Sequence, residues 1–188
     1  SASPVRAVLR DLYPTGTRGT DFSGKLNHQA GVANAFSSRY ASSRGRVRAE
    51  VQGPENFPDR SAQGSSLTED HSLVGNWLLV VSPRVVNDVR LQWSRRRMDL
   101  SPNAPAGGPM FEIPGVATFG AFYRLNSSRD ERHYQIVEQL SVSAAGHRLS
   151  AGADVHLVTL DAAIRNRFGG IFLFPSLADF EAGRPDVF

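Results

Sequence analysis

Five histidines are the side chains best suited to acid–base or metal chemistry in this sequence. They are His28, His71, His133, His147 and His156. No two of them have the i, i+4 spacing that places two zinc ligands on one face of a helix. His147 and His156 fall in one predicted hairpin, but His147 lies in the turn and His156 well along the strand. The spacing therefore predicts histidines on polar or solvated faces rather than a metal site.

Other groups that carry chemistry also lack the pattern that their chemistry needs. No Gly-x-Ser-x-Gly elbow is present, and neither Gly107–Gly108 nor Gly169–Gly170 joins a strand to a helix as a nucleotide loop does. Four aspartates could suggest a carboxylate pair, but strand ends and polar strand faces explain them more simply: Asp21, Asp88, Asp154 and Asp161. We predict no catalytic residue, no cofactor site and no metal site. We therefore expect no enzyme, and the ligand-binding residues are not readable.

Composition excludes several classes of protein. The chain has 188 residues, of which 40% are hydrophobic and 21% charged, so a disordered tail is excluded. It has no cysteine, which rules out disulfides, thiolate zinc sites, iron–sulfur clusters and a cysteine nucleophile. No apolar run reaches the roughly 18 residues of a membrane-spanning helix, whereas membrane strands hide their hydrophobicity in alternation.

The positive charge is almost entirely arginine. The net charge is +3 and Lys25 is the only lysine. An arginine-rich surface can bind nucleic acid, but a GC-rich genome also encodes arginine by default. The arginines are scattered, and the densest run, Arg95 to Arg97, ends a strand pattern. We therefore expect no nucleic-acid partner.

Alternation with a period of two is the dominant pattern, and it predicts three β-hairpins. In the last hairpin the apolar face comprises Leu149, Ala151, Ala153, Val155 and Leu157. Its polar face comprises Ser150, Gly152, Asp154 and His156. In the middle hairpin Val89, Leu91 and Trp93 alternate with Asp88, Arg90, Gln92 and Ser94. In the first, Phe22, Gly24, Leu26, His28, Phe36 and Tyr40 alternate with polar residues.

The connections between these strands are unequal. Turns within hairpins are short, whereas residues 43–69 and 100–130 are predicted to be long loops rich in Gly, Pro, Ser and Asn. Strands of about 10 to 12 residues with short turns at one end and long loops at the other are typical of transmembrane barrels. Four aromatic residues near strand ends could form interfacial girdles: Tyr40, Trp77, Trp93 and Tyr134. Short helices are predicted over residues 4–12 and 176–182, the second capped by Ser176, Asp179 and Gly183.

Five segments in order carry a resemblance to a known family. They are VRAVLRDLYP (5–14), DFSGKLNH (21–28), VVNDVRLQWSR (85–95), GHRLSAGAD (146–154) and FGG with SLADF and GRP (168–185). The sequence resembles the barrel region of TonB-dependent outer-membrane receptors, in the Oar-like group with a carboxypeptidase-regulatory-like domain. Asp88 stands where the family has Glu, and Ser150 where it has Lys or Arg. Neither change harms a role at a strand edge or in a barrel lumen.

The resemblance implies an all-β fold: an antiparallel up-and-down meander of about six or seven strands with long loops, part of a transmembrane barrel of about 22 strands. Residues 1–188 are expected to be a partial barrel without plug or TonB box. The apolar faces would meet lipid, and Asp88, Arg90 and the Asp154 face would line the lumen.

The implied function is uptake of a siderophore, oligosaccharide or peptide across the outer membrane of a Gram-negative bacterium. The implied partners are outer-membrane lipid and lipopolysaccharide, the missing plug and barrel strands, TonB, and the nutrient. Arg124, Arg129 and Arg132 could contact an anionic ligand or lipopolysaccharide, or simply be solvated in a loop. The alternative is a soluble β-sandwich that serves as a binding or adhesion module. An isolated sheet would have two open edges and should aggregate without its missing strands.

Overall fold

The computed structural model describes residues 15–50, 57–103, 108–124 and 126–187. Its main element is a six-stranded antiparallel sheet with the order β1-β2-β3-β4-β7-β8. The strands are β1 Gly16–Ala30, β2 Asn34–Glu50, β3 Gly64–Ser82, β4 Val85–Pro102, β7 Ser127–Ala144 and β8 His147–Ala163. Each strand pairs with its neighbour along the chain, once the small elements between β4 and β7 are set aside. The predicted all-β meander is confirmed.

The strands are longer than the sequence predicted. They run from 15 to 19 residues, because pairing continues beyond the apolar segments into residues rich in Arg, Ser and Gly. Arg46, for example, pairs with Arg18 on one side and Leu67 on the other. The predicted loops at residues 43–69 and 100–130 were therefore too long, since composition alone made these paired strand ends resemble loops.

Short turns join the hairpins at one end of the sheet, as predicted. In the turn between β7 and β8, Ala145 has φ 48° and Gly146 φ 81°, and positive φ at both central positions is typical of a type I′ turn. Gly31 has φ 68° in the turn between β1 and β2. We call this end of the sheet the turn end and the opposite end the loop end.

The register places most of the large apolar residues of the six strands on one side of the sheet, which we call the belt face, although Val74, Leu78, Val137, Val158 and Leu160 lie on the other side. Its main members are Phe22, Leu26, Phe36, Tyr40, Leu73, Trp77, Val89, Leu91, Trp93, Tyr134, Ile136, Leu140, Leu149, Val155 and Leu157. The other side, the polar face, carries Lys25, Arg39, Asp70, Asp88, Arg90, Arg96, Glu131, His133, Asp154 and His156. The face assignments predicted from alternation in the three hairpins are confirmed.

Nothing in the described part of the chain covers the belt face. Leu26 is 67% exposed, Leu91 51% and Val155 62%, so these side chains have no second sheet against them. A soluble sandwich would bury this face in its core. The alternative fold considered from the sequence is therefore not observed.

A small separate unit, which we call the cap, stands at the loop end. It comprises residues 108–124 and 171–187 and contains β5 Met110–Ile113, β6 Ala117–Gly120, β9 Ile171–Leu173 and α1 Leu177–Glu181. β5 pairs antiparallel with β6 and parallel with β9. The predicted loop at residues 100–130 thus contains two ordered strands, β5 and β6, that alternation did not reveal.

The cap has a hydrophobic core of its own. Ile113 and Ala117 are 0% exposed and Phe174 is 5% exposed. Six further aromatic or aliphatic side chains pack around them: Phe111, Val116, Phe119, Phe172, Leu177 and Phe180. Phe111 stacks between Phe119 and Phe172 with ring centroids 5.3 Å apart on each side. The cap is therefore held by aromatic packing across three short strands and one helix.

Side-chain and backbone contacts attach the cap to the sheet. The buried ring of Phe122 lies against Gly64, where an added Cβ would come within 2.6 Å of it. The Asp59 N–H donates to the Thr118 carbonyl at 2.7 Å, and the Gly120 N–H donates to Ser61 Oγ at 3.0 Å. The cap is thus joined to the segment that precedes β3.

The predicted C-terminal helix is present as α1. Ser176 Oγ accepts a hydrogen bond from the Asp179 N–H, and Gly183, just after the C-cap Ala182, has φ 64°. The other predicted helix, at residues 4–12, lies outside the described residues. Across the described ranges, no helix is both long enough and apolar enough to cross a membrane.

Candidate functional site

A groove on the polar face brings charged and polar side chains of several strands together. Its volume is about 590 Å³, and it crosses β1, β2, β3, β4 and β7 in the half of the sheet near the loop end. Its polar-face lining comprises Asp21, Ser23, Arg39, Ser43, Asp70, Ser72, Ser94, Arg96, Glu131 and His133. Because alternate residues of a strand share one face, five neighbouring strands can contribute to one surface.

Charges in this groove are arranged as opposite pairs. Arg96 Nε lies 3.1 Å from Asp70 Oδ1, and His133 Nε2 lies 2.5 Å from Glu131 Oε1. Arg129 also forms an ion pair with Glu131. The hydrogen bond from His133, and next that from Arg129, lowers the pKa of the Glu131 carboxyl, so Glu131 is ionised at neutral pH. The groove therefore offers fixed charges of both signs rather than a poised acid or base.

The polar face continues toward the turn end with further polar pairs. Arg90 Nη2 lies 2.6 Å from Asp88 Oδ2. Asp154 Oδ1 accepts from Gln135 Nε2 at 2.9 Å and lies 3.0 Å from His156 Nε2. Two buried oxygens, Asn76 Oδ1 and Asp88 Oδ1, have no hydrogen-bond partner in the described part of the chain. A donor from outside this sheet would satisfy them.

The histidines that the sequence singled out are separated by the fold. His133 and His156 are on the polar face, whereas the other three are on the belt face. His28 stacks on Phe36, and His71 Nδ1 shares a 2.8 Å hydrogen bond with the Tyr40 hydroxyl. Among the residues that the structure describes, no group of three or more His, Cys, Asp or Glu could hold a metal ion.

The four aspartates are also dispersed. Asp21, Asp88 and Asp154 occupy three different strands of the polar face, and Asp161 lies on the opposite face near the loop end. The register therefore does not bring them together as a carboxylate pair. Their environments are those that the sequence predicted, namely a polar strand face and a strand end.

The three arginines singled out near the second loop go to three places. Arg124 lies over the Tyr123 ring, 5.2 Å from its centroid. Arg129 is on the polar face with Glu131, and Arg132 is on the belt-face side, 3.3 Å from Asp130 Oδ2. They do not form one anion site.

Asp130 belongs to a charged zone at the loop end of the belt-face side. Arg95 donates two hydrogen bonds to it from Nε, at 3.0 and 3.2 Å, and Arg44 Nε lies 3.2 Å from Glu69 Oε1. The hydrogen bond from Arg95 lowers the pKa of the Asp130 carboxyl. On this side of the sheet, charged residues therefore replace apolar ones beyond the loop-end edge of the belt.

Aromatic residues mark that boundary. One row of directly opposed residues runs across five strands. It comprises Tyr40, Leu73, Trp93, Tyr134 and Leu157 in that order, and three of these are aromatic. Trp77 pairs with Phe36 nearer the turn end, and their rings stack at 5.9 Å. Aromatic residues in rows at the edges of an apolar band are characteristic of membrane interfaces. Three of the four predicted girdle residues thus lie in a single row.

The sequence reasoning overlooked one cluster on the belt-face side. Arg18, Arg44, Arg46 and Arg48 project from neighbouring positions of β1 and β2 at the loop end. The alternation Arg44-Gly45-Arg46-Val47-Arg48 is the signal in the sequence, but the loop-like composition of residues 43–69 conceals that this segment is a paired strand.

A family model described as "Outer membrane beta barrel domain" matches residues 9–188. A comparison with curated proteins found no match. A comparison with solved structures found none either.

Proposed function

Because the chain belongs to the outer membrane beta barrel domain family and is an outer-membrane protein, we propose that it forms part of the barrel of a TonB-dependent receptor that imports a nutrient. In this proposal the belt face contacts lipid and the polar face lines the lumen. The turn end is periplasmic and the loop end extracellular, following the usual arrangement of outer-membrane barrels.

The observation that carries the proposal is the polar face with its ion-paired groove. A wall with fixed charges of both signs can bind a polar solute or a polar protein segment in the lumen. The oxygens Asn76 Oδ1 and Asp88 Oδ1, which have no hydrogen-bond partner in the described part of the chain, lie on the same face, where a plug would supply donors. The ordered resemblance of five segments to TonB-dependent receptors supports the same conclusion.

The remaining parts of the proposal follow from this arrangement. The cap stands at the extracellular end, where it would contact the incoming ligand. Further barrel strands would pair with the outer edges of β1 and β8, which have no partner strand among the described residues, and TonB would act through a separate N-terminal region. We propose no enzymatic activity and no cofactor. The ligand class stays open among siderophore, oligosaccharide and peptide.

The proposal is tested by deleting the gene in its native host. Growth and uptake are measured in iron-restricted medium, with an oligosaccharide as sole carbon source, and with a peptide as sole nitrogen source. We expect a defect in one condition, reproduced by depleting TonB. When the deletion strain is complemented with Asp70→Asn/Arg96→Gln, its uptake should be at least about fivefold lower than with the wild-type gene. The reason is that this variant removes a charge pair from the groove.

The matched control is Arg97→Gln/Asp99→Asn, which removes an ion pair of 2.8 Å from the opposite side of the same sheet. This variant should restore uptake fully. Both variants should give a folded band that shifts on boiling. Normal growth of the deletion strain in all three conditions would refute nutrient uptake, and a defect that persists unchanged without TonB would indicate a passive channel.

A further inference from the structure

Several arginines that have no counterion among the described residues gather on the belt-face side of β1 and β2. Arg18 and Arg46 are directly opposite each other across the two strands, and Arg48 follows on the same side. Like charges directly opposite in a sheet repel each other. All three are exposed, and within the described residues none of them forms an ion pair, unlike Arg44 and Arg97 nearby.

Two adjoining grooves surround these arginines. One, of about 430 Å³, is lined by Arg18, Arg44, Arg46 and Arg48 together with Gly and Thr residues. The other, of about 490 Å³, is lined by Arg46, Arg48 and Arg60 with small and amide-bearing neighbours. No Asp or Glu lines either groove among the residues described. The arrangement is suited to an anion with several phosphate groups, because guanidinium forks bind phosphate through paired hydrogen bonds.

The position of the cluster indicates which kind of molecule would carry those phosphate groups. Arg44 and Arg46 lie four and six residues beyond Tyr40 on β2, about 13 and 20 Å along the strand. They are on the same side as the apolar belt, so they face the membrane exterior of the barrel rather than its lumen. In the proposed orientation, with the loop end extracellular, this surface above the aromatic row would meet the phosphorylated sugars of the outer leaflet.

An apolar groove that begins on β1 and β2 and extends over β3 and β4 adds a second contact. It has a volume of about 390 Å³ and forms where small residues, Ser38 and Gly75, leave room between larger ones. Leu26, Phe36 and Trp77 line it with Leu91. This groove lies in the belt below the arginines and has the chemistry to hold an acyl chain.

We propose that β1 and β2 form a binding site for lipopolysaccharide, with Arg18, Arg46 and Arg48 contacting its phosphate groups and the Ser38–Gly75 groove receiving an acyl chain. The site depends on the outer-membrane location and on the orientation of the sheet, and is independent of nutrient uptake. It would fix the level of the barrel in the outer leaflet and neutralise a repulsive arginine cluster.

The test uses the full-length protein purified in detergent and titrated with four probes: lipopolysaccharide, dephosphorylated lipopolysaccharide, phosphatidylglycerol and inorganic phosphate. Native mass spectrometry counts the bound lipid. We expect Arg18→Gln/Arg46→Gln/Arg48→Gln to bind lipopolysaccharide at least about tenfold more weakly, since several charge-assisted hydrogen bonds are lost. Arg97→Gln, whose arginine is already paired with Asp99, should bind within about twofold of wild type.

Comparison of the probes identifies the ligand. Wild type should prefer lipopolysaccharide to its dephosphorylated form and to phosphatidylglycerol, and inorganic phosphate should not compete at equal concentration. Equal binding of phosphatidylglycerol, or undiminished binding by the triple variant, would overturn the proposal. If the triple variant does not give a heat-modifiable folded band, Arg46→Gln alone serves, with an expected loss of about threefold.

Discussion

A single glycine shows how closely β7 and β8 approach each other. A Cβ placed on Gly152 would lie 2.1 Å from the carbonyl oxygen of Glu138, a distance that real side chains do not reach. Gly152 pairs with Gln139, and the backbone of β7 occupies the space that a side chain at position 152 would need. The sequence indicated a polar strand face at this position, but it did not reveal the close approach.

We therefore expect Gly152→Ala to disturb the β7–β8 pairing and to destabilise the folded protein by about 1–3 kcal/mol, the usual cost of overpacking. The loss of stability is measured as a decrease in the urea concentration at which half of the folded, heat-modifiable band is lost. Gly75→Ala is the control, because an added Cβ there meets nothing within 4 Å. Equal midpoints for the two variants would show that the strands separate to admit a methyl group.

At the scale of elements, the hairpins and the helix α1 were predictable, and the strands of the cap were not. Strict alternation over Leu149 to Leu157 and Val89 to Trp93 identifies strands and assigns both faces, because the period of a strand is two. The cap strands β5, β6 and β9 have only three or four residues each, too few for any period to be visible. Their stability comes from aromatic contacts between segments far apart in sequence.

Ile113→Ala should loosen the cap without unfolding the sheet. Ile113 is fully buried in the cap core, and truncation of a buried isoleucine costs about 2–5 kcal/mol. Limited proteolysis of the full-length protein should then cleave within residues 108–124 or 171–187, while the barrel keeps its heat-modifiable band. Ile164→Ala is the matched control, since Ile164 is 70% exposed. Simultaneous loss of the barrel band would show that the cap and the sheet fold as one unit.

At the scale of the whole molecule, two adjacent residues test which face meets lipid. Leu91 is in the middle of the belt face, and Gln92 is its neighbour on the polar face. An arginine on a lipid-facing strand at the bilayer midplane costs about 2–4 kcal/mol, whereas an arginine in a lumen is tolerated.

Leu91→Arg should therefore reduce the folded protein recovered from the outer membrane, and Gln92→Arg should not. Membrane fractionation followed by electrophoresis with and without boiling gives the folded fraction of each variant. The same charge is added to the same strand in both, so strand propensity and net charge are matched. Greater loss with Gln92→Arg would reverse the assignment of the two faces.

The sequence by itself determined the strand-rich fold class, the hairpin turns and the two faces, because each follows from alternation and from turn residues within a few positions. It also indicated the family through short ordered motifs. Only the tertiary structure decided the full lengths of the strands, the cap, the polar groove and the arginine cluster at Arg18, Arg46 and Arg48. Each of these depends on register between strands, and register brings together residues whose separation in sequence carries no local signal.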